Sequence, residues 1–557
     1  MIQSDQAFSN RILYLLYGLL ALVYLSGLFI PLMENDSAQH AAMAMHMHLK
    51  GDWLHLYRGL NEYLDKPHMH FWLAALSFEV FGIHDWSYRI PALLFTGLGA
   101  YSSYSLARYF YGSRAGHIAS LVFLSSQAII LANHDVRTDA VLTGSSIFAV
   151  WQLVKYVDDK KLINALIGSV ALGVAFSTKG LLAVFFVGSL LLCYVLYNRK
   201  WSSVFNWKVL AGGLAFLLAC APMLYAYFVQ FDSFPDKVVN GQTNVSGIRF
   251  IFWDQSFNRM TGEGFEKGHT DYFFFFHTML WAFLPWSLIT YFGLFEKTAE
   301  FVKIRFKYVP GLEFLTVGGF WLTLTIMNFS SSKLPHYMNS IFPVLAVFLA
   351  GYLIYLYKNE RLSRIKVLLG IQYFLFIVGG LAVLTILFWV FPVSWMFLAV
   401  SLIMLGALIY YLATSIVSVS KIVISSVLFA VFVNFSLNTQ FYPKLLEYQA
   451  GINVTRILSE ENIDREDVYI LEDGYSWSLN IYTRRETPSL NLEELSENKG
   501  KWVMVYDKDM PRLQEQNVKW DESYEVPHYR ITMLSLDFLN PESRAEVLRK
   551  VYLLRLS

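Results

Sequence analysis

Apolar runs long enough to cross about 30 Å of hydrocarbon, some 20 residues each, recur along this chain and restrict it more than any other feature. They fall near 12–32, 90–110, 116–132, 140–157, 162–178, 180–197, 209–229, 272–295, 312–329, 335–356, 367–391, 395–414 and 421–438. In a chain of 557 residues that is 55% hydrophobic and only 16% charged, such runs belong in a bilayer, where each satisfies its own backbone as a helix. Thirteen spans are expected. The first is followed by Glu34, Asn35 and Asp36 with no small-residue cleavage site, so it is expected to stay as a helix and not to be removed as a signal. The 44 Lys and Arg against 43 Asp and Glu leave a net charge of +1, which offers no field to nucleic acid. Cys193 and Cys220 lie inside apolar runs, which excludes a disulfide framework and a four-thiolate metal site.

Lys and Arg in the short loops set the orientation. With the N-terminus inside, the inner loops carry Arg108, Arg114, Lys160, Lys161, Arg199, Lys200 and a further run through to Lys421. Short outer loops hold only Arg137, Lys179 and Lys333, one each, against the bias of the rest. Longer outer pieces are 33–89 and 230–271. Residues 439–557 have ordinary soluble composition, with strand-like runs at 467–471 and 502–506 and helix-like stretches near 453–461 and 542–549. The expected architecture is therefore an all-α polytopic membrane domain, 1–438, followed by a C-terminal α/β domain, 439–557.

Acidic and basic residues recur at the outer ends of the spans. Glu34 to Asp36 open an apolar helix pattern, and the plain explanation is that Asp36 or Ser37 caps it. Capping does not explain an acidic cluster at the membrane surface, which can meet other outer loops at the same depth. Tyr63-Leu64-Asp65-Lys66-Pro67 precedes a helix, too short to span, that should run to about Gly82 along the interface. There Lys66 either snorkels or contacts a lipid phosphate. Arg137 sits between Asp135 and Asp139, costly near hydrocarbon unless it pairs or binds, although Thr138 or Asp139 can simply cap the next span. Lys179, and Lys333 ahead of His336 and Tyr337, complete a set of lone cations on one face. Together these suggest a site for an anionic lipid headgroup beside a working carboxylate.

Seven of the thirteen histidines (His40, His46, His48, His55, His68, His70 and His84) fall in the first outer segment with Met43, Met45, Met47 and Met69. His40, Met43 and Met47 share a helical face that suits a soft metal, with His46 and His48 as the weaker candidate ligands. Interfacial packing explains the same pattern.

Asp36 with Ala41, Gly51-Asp52-Trp53, Tyr63-Leu64-Asp65-Lys66-Pro67, Phe81-Gly82, Arg89-Ile90-Pro91 and Arg137-Thr138-Asp139 together resemble the bacterial GT-C glycosyltransferases of the aminoarabinose lipid A transferase and protein O-mannosyltransferase type. Leu284-Pro285-Trp286 and Ser332-Lys333 with Tyr337 extend the likeness to about residue 345. Two departures stand out: Ser37 follows Asp36 where the family reads Asp-Glu, and His68 replaces the second proline of Lys-Pro-Pro. The resemblance implies a thirteen-span enzyme of the bacterial inner membrane, its site and C-terminal domain periplasmic, taking a sugar from an undecaprenyl-phosphate carrier. It maps the family's acidic residues to Asp36 and Asp139 and its lysine to Lys66, with Tyr63 just ahead.

Chemistry is consistent with that assignment. A departing phosphate monoester needs positive charge more than a proton, and Lys66, Arg137, Lys179 and Lys333 are the available cations; one at about 4 Å is worth roughly 4 kcal/mol at an effective dielectric near 20. A hydroxyl acceptor needs a base, for which Asp36 is the first choice and Asp139 the orienter or alternate; an anionic phosphate acceptor needs only positioning. Glu34, Tyr63, Asp65, His336 and Tyr337 are the expected substrate contacts. Partners are then the polyprenyl-phosphate sugar, a glycolipid, polysaccharide or protein acceptor, and membrane lipid. No cofactor is assigned, with a divalent metal left open. A transporter or flippase is the alternative, against which the sequence shows no pair of spans broken near its centre.

Overall fold

The computed structural model describes residues 9–255, 271–472 and 474–557. Nine of its helices are long and apolar enough to cross a membrane among the described residues, and each coincides with an expected span. They are Asn10–Gly27, Asp139–Asp159, Leu162–Lys179, Leu181–Asn198, Trp207–Asp232, Pro335–Lys358, Leu362–Val390, Trp395–Ala413 and Val419–Leu446. The chain is a multi-pass membrane protein.

The four remaining expected spans are built differently. The run at 90–110 lies within Asp85–Tyr111, a 27-residue helix that carries polar side chains inward. The run at 312–329 is the shorter helix Leu315–Phe329. Two others are interrupted, contrary to the expectation of unbroken spans. The 116–132 run is Ser113–Leu124 followed by Gln127–Leu131, and the 272–295 run is Phe274–Ala282 followed by Ser287–Lys303. The breaks meet: Gln127 N–H donates to the Leu284 carbonyl at 2.9 Å, and the Trp286 indole donates to Ser125 Oγ at 2.9 Å. Each thus satisfies backbone or side-chain groups the other leaves open.

Tight connections order the bundle. Asp139–Asp159, Leu162–Lys179 and Leu181–Asn198 run antiparallel, turning at Lys160 (φ 55°) and Gly180 (φ 62°). Gly180 is required twice over, because its backbone is left-handed and a Cβ there would lie 2.5 Å from Gln255 Oε1. Pro335–Lys358 is almost wholly enclosed by its neighbours, whereas Trp395–Ala413 turns most of its surface outward, as a helix bathed in lipid can.

At one end of the bundle, Asp36–Lys50 packs on Met69–Phe81, the short helix expected to end at Gly82. Between them lies a hairpin, Tyr57–Arg58 paired antiparallel with Asn61–Glu62. Of the outer segment 230–271, residues 256–270 lie outside the described residues.

The C-terminal region forms a five-stranded mixed sheet. Its order is Ser489–Leu490, Val468–Leu471, Trp502–Tyr506, Arg549–Leu556 and Trp520–His528, the first two pairings parallel and the last two antiparallel. Both expected strands are present, as is the helix Ala450–Glu460. The helix expected at 542–549 is one turn, Arg544–Val547, and from Arg549 the chain is a strand instead. The alternation of buried Val551 and Leu553 with Lys550 and Tyr552 gives its period of two.

Candidate functional site

Arg89 organises the site from underneath. Fully buried, it donates to the carbonyls of Leu28 (3.0 Å), Ile30 (2.5 Å) and His134 (2.9 Å), tying the exit of the first span to the 133–138 loop. That bond set brings Asp36 beside Arg137. Asp36 opens its helix but does not cap it, contrary to the capping expectation; Asn35 holds the cap position and neither makes a side-chain cap bond. The Asp36 carboxylate instead pairs with Arg137 Nη1 at 2.9 Å. Asp135 grips the other edge of the guanidinium, accepting from Nη2 at 2.6 Å and Nε at 3.1 Å. Burial works against the Arg137 charge, but the Asp135 and Asp36 carboxylates outweigh it and hold its pKa above the ordinary value. His336 Nδ1 lies 3.4 Å from Arg137 Nη1.

Asp36 and Arg137 line a cavity of about 840 Å³ together with Tyr63, Asp65, Lys66, His336 and Tyr337. Seven of the residues singled out from sequence thus share one wall. Lys66 Nζ reaches Asp65 Oδ2 at 2.5 Å, so the interfacial lysine faces the cavity and does not snorkel away. Tyr63 is buried, and burial, reinforced by the carboxylates of Asp65 and Asp36, raises its pKa well above 10, keeping the phenol protonated. It remains a hydrogen-bond donor.

Four others stand elsewhere. Asp139 and Lys179 form an ion pair at 2.7 Å whose side chains are 5% and 3% exposed, with Lys179 Nζ 4.9 Å from the Tyr337 ring centroid. The pair therefore lies behind the cavity wall, and neither residue lines it. Lys333 is also off the lining: Nζ donates to the Asp271 carbonyl at 2.9 Å, while its neighbours Ser332 and Leu334 face the cavity. Glu34 turns toward the C-terminal region, accepting from Ser478 Oγ (2.6 Å), Ser478 N–H (2.8 Å) and Ser476 Oγ (3.0 Å).

The histidine cluster separates too. His46 pairs with Glu486 and His48 with Glu79, each at 2.8 Å, and Met43 and Met47 are core residues. His40 lines the cavity against His70 and Phe71. Among the described residues no group of three His, Cys, Asp or Glu side chains is placed to hold a metal ion.

Sequence reasoning missed Arg58, Glu62, Asp254 and Gln255, which also line the cavity. Glu62 is held by Lys237 and by Gln230 Nε2, both at 2.6 Å, and Gln255 Nε2 donates to the Asp65 carbonyl at 2.5 Å, so the two outer segments close on each other here. The signal available was Gly59, whose positive φ makes the hairpin turn that carries Arg58 and Glu62.

Spans gathered beneath a charged cavity, with a small sheet region after the last of them, are the architecture of the GT-C membrane proteins, and the chain has that fold. It superposes with a TM-score of 0.73 on the crystal structure of ArnT from Cupriavidus metallidurans bound to undecaprenyl phosphate, covering 98% of each chain at 18% identity. The apo form of that protein gives 0.72, covering 97% of each chain. The family model described as dolichyl-phosphate-mannose-protein mannosyltransferase matches residues 65–225. The undecaprenyl phosphate-alpha-4-amino-4-deoxy-L-arabinose arabinosyl transferase of Pseudomonas aeruginosa is 28% identical over 336 residues, 59% of this chain and 56% of the relative. A transferase of the same description from Pseudomonas fluorescens is 26% identical over 354 residues, 62% of this chain and 57% of its own. These matches span little more than half the length of the relatives. The likeness drawn from sequence motifs up to about residue 345 extends, in fold, over 98% of the chain.

Proposed function

We propose that this protein is an integral-membrane glycosyltransferase that moves a sugar, of the pentosyl type named in its relatives, from an undecaprenyl-phosphate carrier to an envelope glycolipid such as lipid A. In this reading the chain crosses the bacterial inner membrane thirteen times, residues 1–438 form the catalytic membrane domain, and the cavity and a domain of residues 439–557 face the periplasm. The observation that carries it is the Asp36–Arg137 pair in a cavity shared with Lys66, at the end of spans folded as in a carrier-binding relative.

Chemistry follows from charge exchange. A carrier phosphate entering beside Lys66 competes with Asp36 for Arg137 Nη1, while Asp135 retains the other edge of the guanidinium. Phosphate binding thereby releases the Asp36 carboxylate next to the sugar that will react. As the sugar–phosphate bond breaks and the sugar gains oxocarbenium character, Lys66 and Arg137 stabilise the departing phosphate and Asp36 takes the proton of an acceptor hydroxyl. A phosphate acceptor, already anionic, would be oriented by the same groups. Tyr63, Asp65, His336 and Tyr337 border the sugar, and Asp139 with Lys179 braces the wall behind them. No cofactor is assigned.

The interrupted helices are a trait of transporters. Here, however, they bond to each other and lie off the cavity wall, which disfavours a moving pathway through them. Purified protein supplied with a radiolabelled undecaprenyl-phosphate sugar should release the lipid phosphate and label the acceptor. Asp36→Asn should lower turnover by about 100-fold or more, the range general-base loss gives, with carrier affinity kept or raised because the competitor for Arg137 is gone. Undiminished transfer by that variant would overturn the assignment.

A further inference from the structure

The C-terminal sheet region keeps its large apolar side chains inside, with one exception. Among the described residues of 439–557, the large hydrophobics that stand exposed are Tyr475 and then Met533, Leu534 and Leu536, three within four positions, the last of them 82% exposed. Single apolar residues on a surface are ordinary, whereas a cluster on one short loop marks a contact. Beneath that loop lies the end of the membrane bundle. Ile531 and Phe538, which bracket the three, are buried in one cluster with Ile30 and Met33 at the exit of the first span and with Val390 and Phe391 at the end of the span Leu362–Val390.

The loop is held at that depth by specific bonds. Arg544 donates through Nε to the Phe538 carbonyl at 2.8 Å and through Nη2 to the Val390 carbonyl, with its guanidinium 4.5 Å from the centre of the Phe391 ring. The Tyr529 hydroxyl donates to the Met533 carbonyl at 2.9 Å and accepts from Ser535 N–H at 3.2 Å, while its ring stacks on Phe538 at 4.0 Å. The loop therefore cannot rise away from Val390 without breaking these contacts. Val390 ends one span and Trp395 begins the next, and around this turn Phe388, Trp389, Trp395 and Met396 all face outward. Aromatic side chains at the ends of lipid-facing helices mark the headgroup level of a leaflet. The apolar tip thus continues a face that lipid already covers.

We infer that Met533, Leu534 and Leu536 insert into the leaflet at the cavity end of the bundle, so that the sheet region rests in lipid as a monotopic element and is not merely carried above it. Ser476 and Ser478 of the same region hold Glu34, two residues before Asp36, and the leaflet thereby helps to fix the loop that carries this carboxylate. The inference holds whether or not the chain transfers a sugar.

The test uses the full-length protein, one copy per nanodisc of phosphatidylethanolamine and phosphatidylglycerol, with an environment-sensitive fluorophore on Leu536→Cys. The same label on Lys499→Cys, an exposed position of the sheet region, reports contact with water, and wild type carried through the labelling gives the background of the buried Cys193 and Cys220. Seated about 5–10 Å into the headgroup boundary, as an interfacial apolar face is, the label at 536 should be quenched severalfold by nitroxide-bearing acyl chains and severalfold less by aqueous iodide than the label at 499. Met533→Cys, a second exposed site on the loop, should give the same pattern. Equal iodide quenching of the loop labels and the label at 499 places the loop in water and overturns the inference. Protection from iodide without nitroxide quenching means that protein covers the loop, which overturns it as well.

Discussion

Replacing Lys179 by methionine removes one half of an ion pair that the structure hides from water, and the consequence can be worked from its geometry. At the observed 2.7 Å the attraction is about 6 kcal/mol for an effective dielectric near 20. Withdrawing two ions from water costs several kcal/mol each, so the intact pair contributes little net stability. Removing one partner is different, because Asp139, 5% exposed, keeps its desolvation cost and loses its compensation. Lys179→Met should therefore destabilise the protein by about 3–5 kcal/mol, whereas Asp139→Leu/Lys179→Met should recover most of that loss. Equilibrium unfolding in mixed micelles, run as a double-mutant cycle, measures the coupling, expected to reach about 3 kcal/mol. Additive single losses would refute the argument. So would a Lys179→Met protein of unchanged stability that binds undecaprenyl phosphate less well, since that result would put Lys179 on the carrier phosphate after all.

Two further tests concern stability. His68 and His70 are buried, which lowers both pKa values to about 4, and His68 bonds through Nε2 to the Leu54 carbonyl at 3.0 Å. Below about pH 6.5 the unfolded chain protonates these rings while the folded one does not. Stability should then fall by roughly 1.4 kcal/mol per pH unit for each ring down to about pH 4, with His68→Gln halving the pair's share; a slope unchanged in that variant contradicts it. Ser125→Ala leaves the buried Trp286 indole without its acceptor and should cost about 1–3 kcal/mol in the same unfolding assay, and no measurable cost would mean that the two helix breaks are not coupled through this bond.

The sequence is most informative where one physical requirement acts on many residues at once. Crossing a bilayer demands long apolar runs, so nine spans are legible as composition alone. Helix breaks are not: Ser125-Ser126 and Leu284-Pro285 sit in runs whose average polarity is unchanged, and what permits the interruption is a partner 157 residues away in the chain, Gln127 N–H on the Leu284 carbonyl. Of the lone cations on one face, Lys66 and Arg137 line the cavity. Lys179 and Lys333 give the same sequence signal but bond to Asp139 and to the Asp271 carbonyl off the cavity lining, and nothing local in the sequence distinguishes a lysine that faces the cavity from one that does not. Arg58 and Gln255 stayed hidden because their place depends on two outer segments folding over one another. The helix-like stretch at 542–549 shortens to one turn, Arg544–Val547, because the strand that begins at Arg549 is set by its pairing with Trp502–Tyr506, a tertiary contact.

Glu34 reaches Ser478 across 444 positions of sequence, and Tyr482 likewise donates to Asp85. Ribosomal synthesis delivers these partners far apart in time. The loop bearing Asp36 is made first, yet the anchors that fix its course follow 444 positions later, so a chain lacking them has the carboxylate without the framework that aims it. Docking of Ser478 on Glu34 and of Tyr482 on Asp85 is then the step that joins the early loop to the late sheet region.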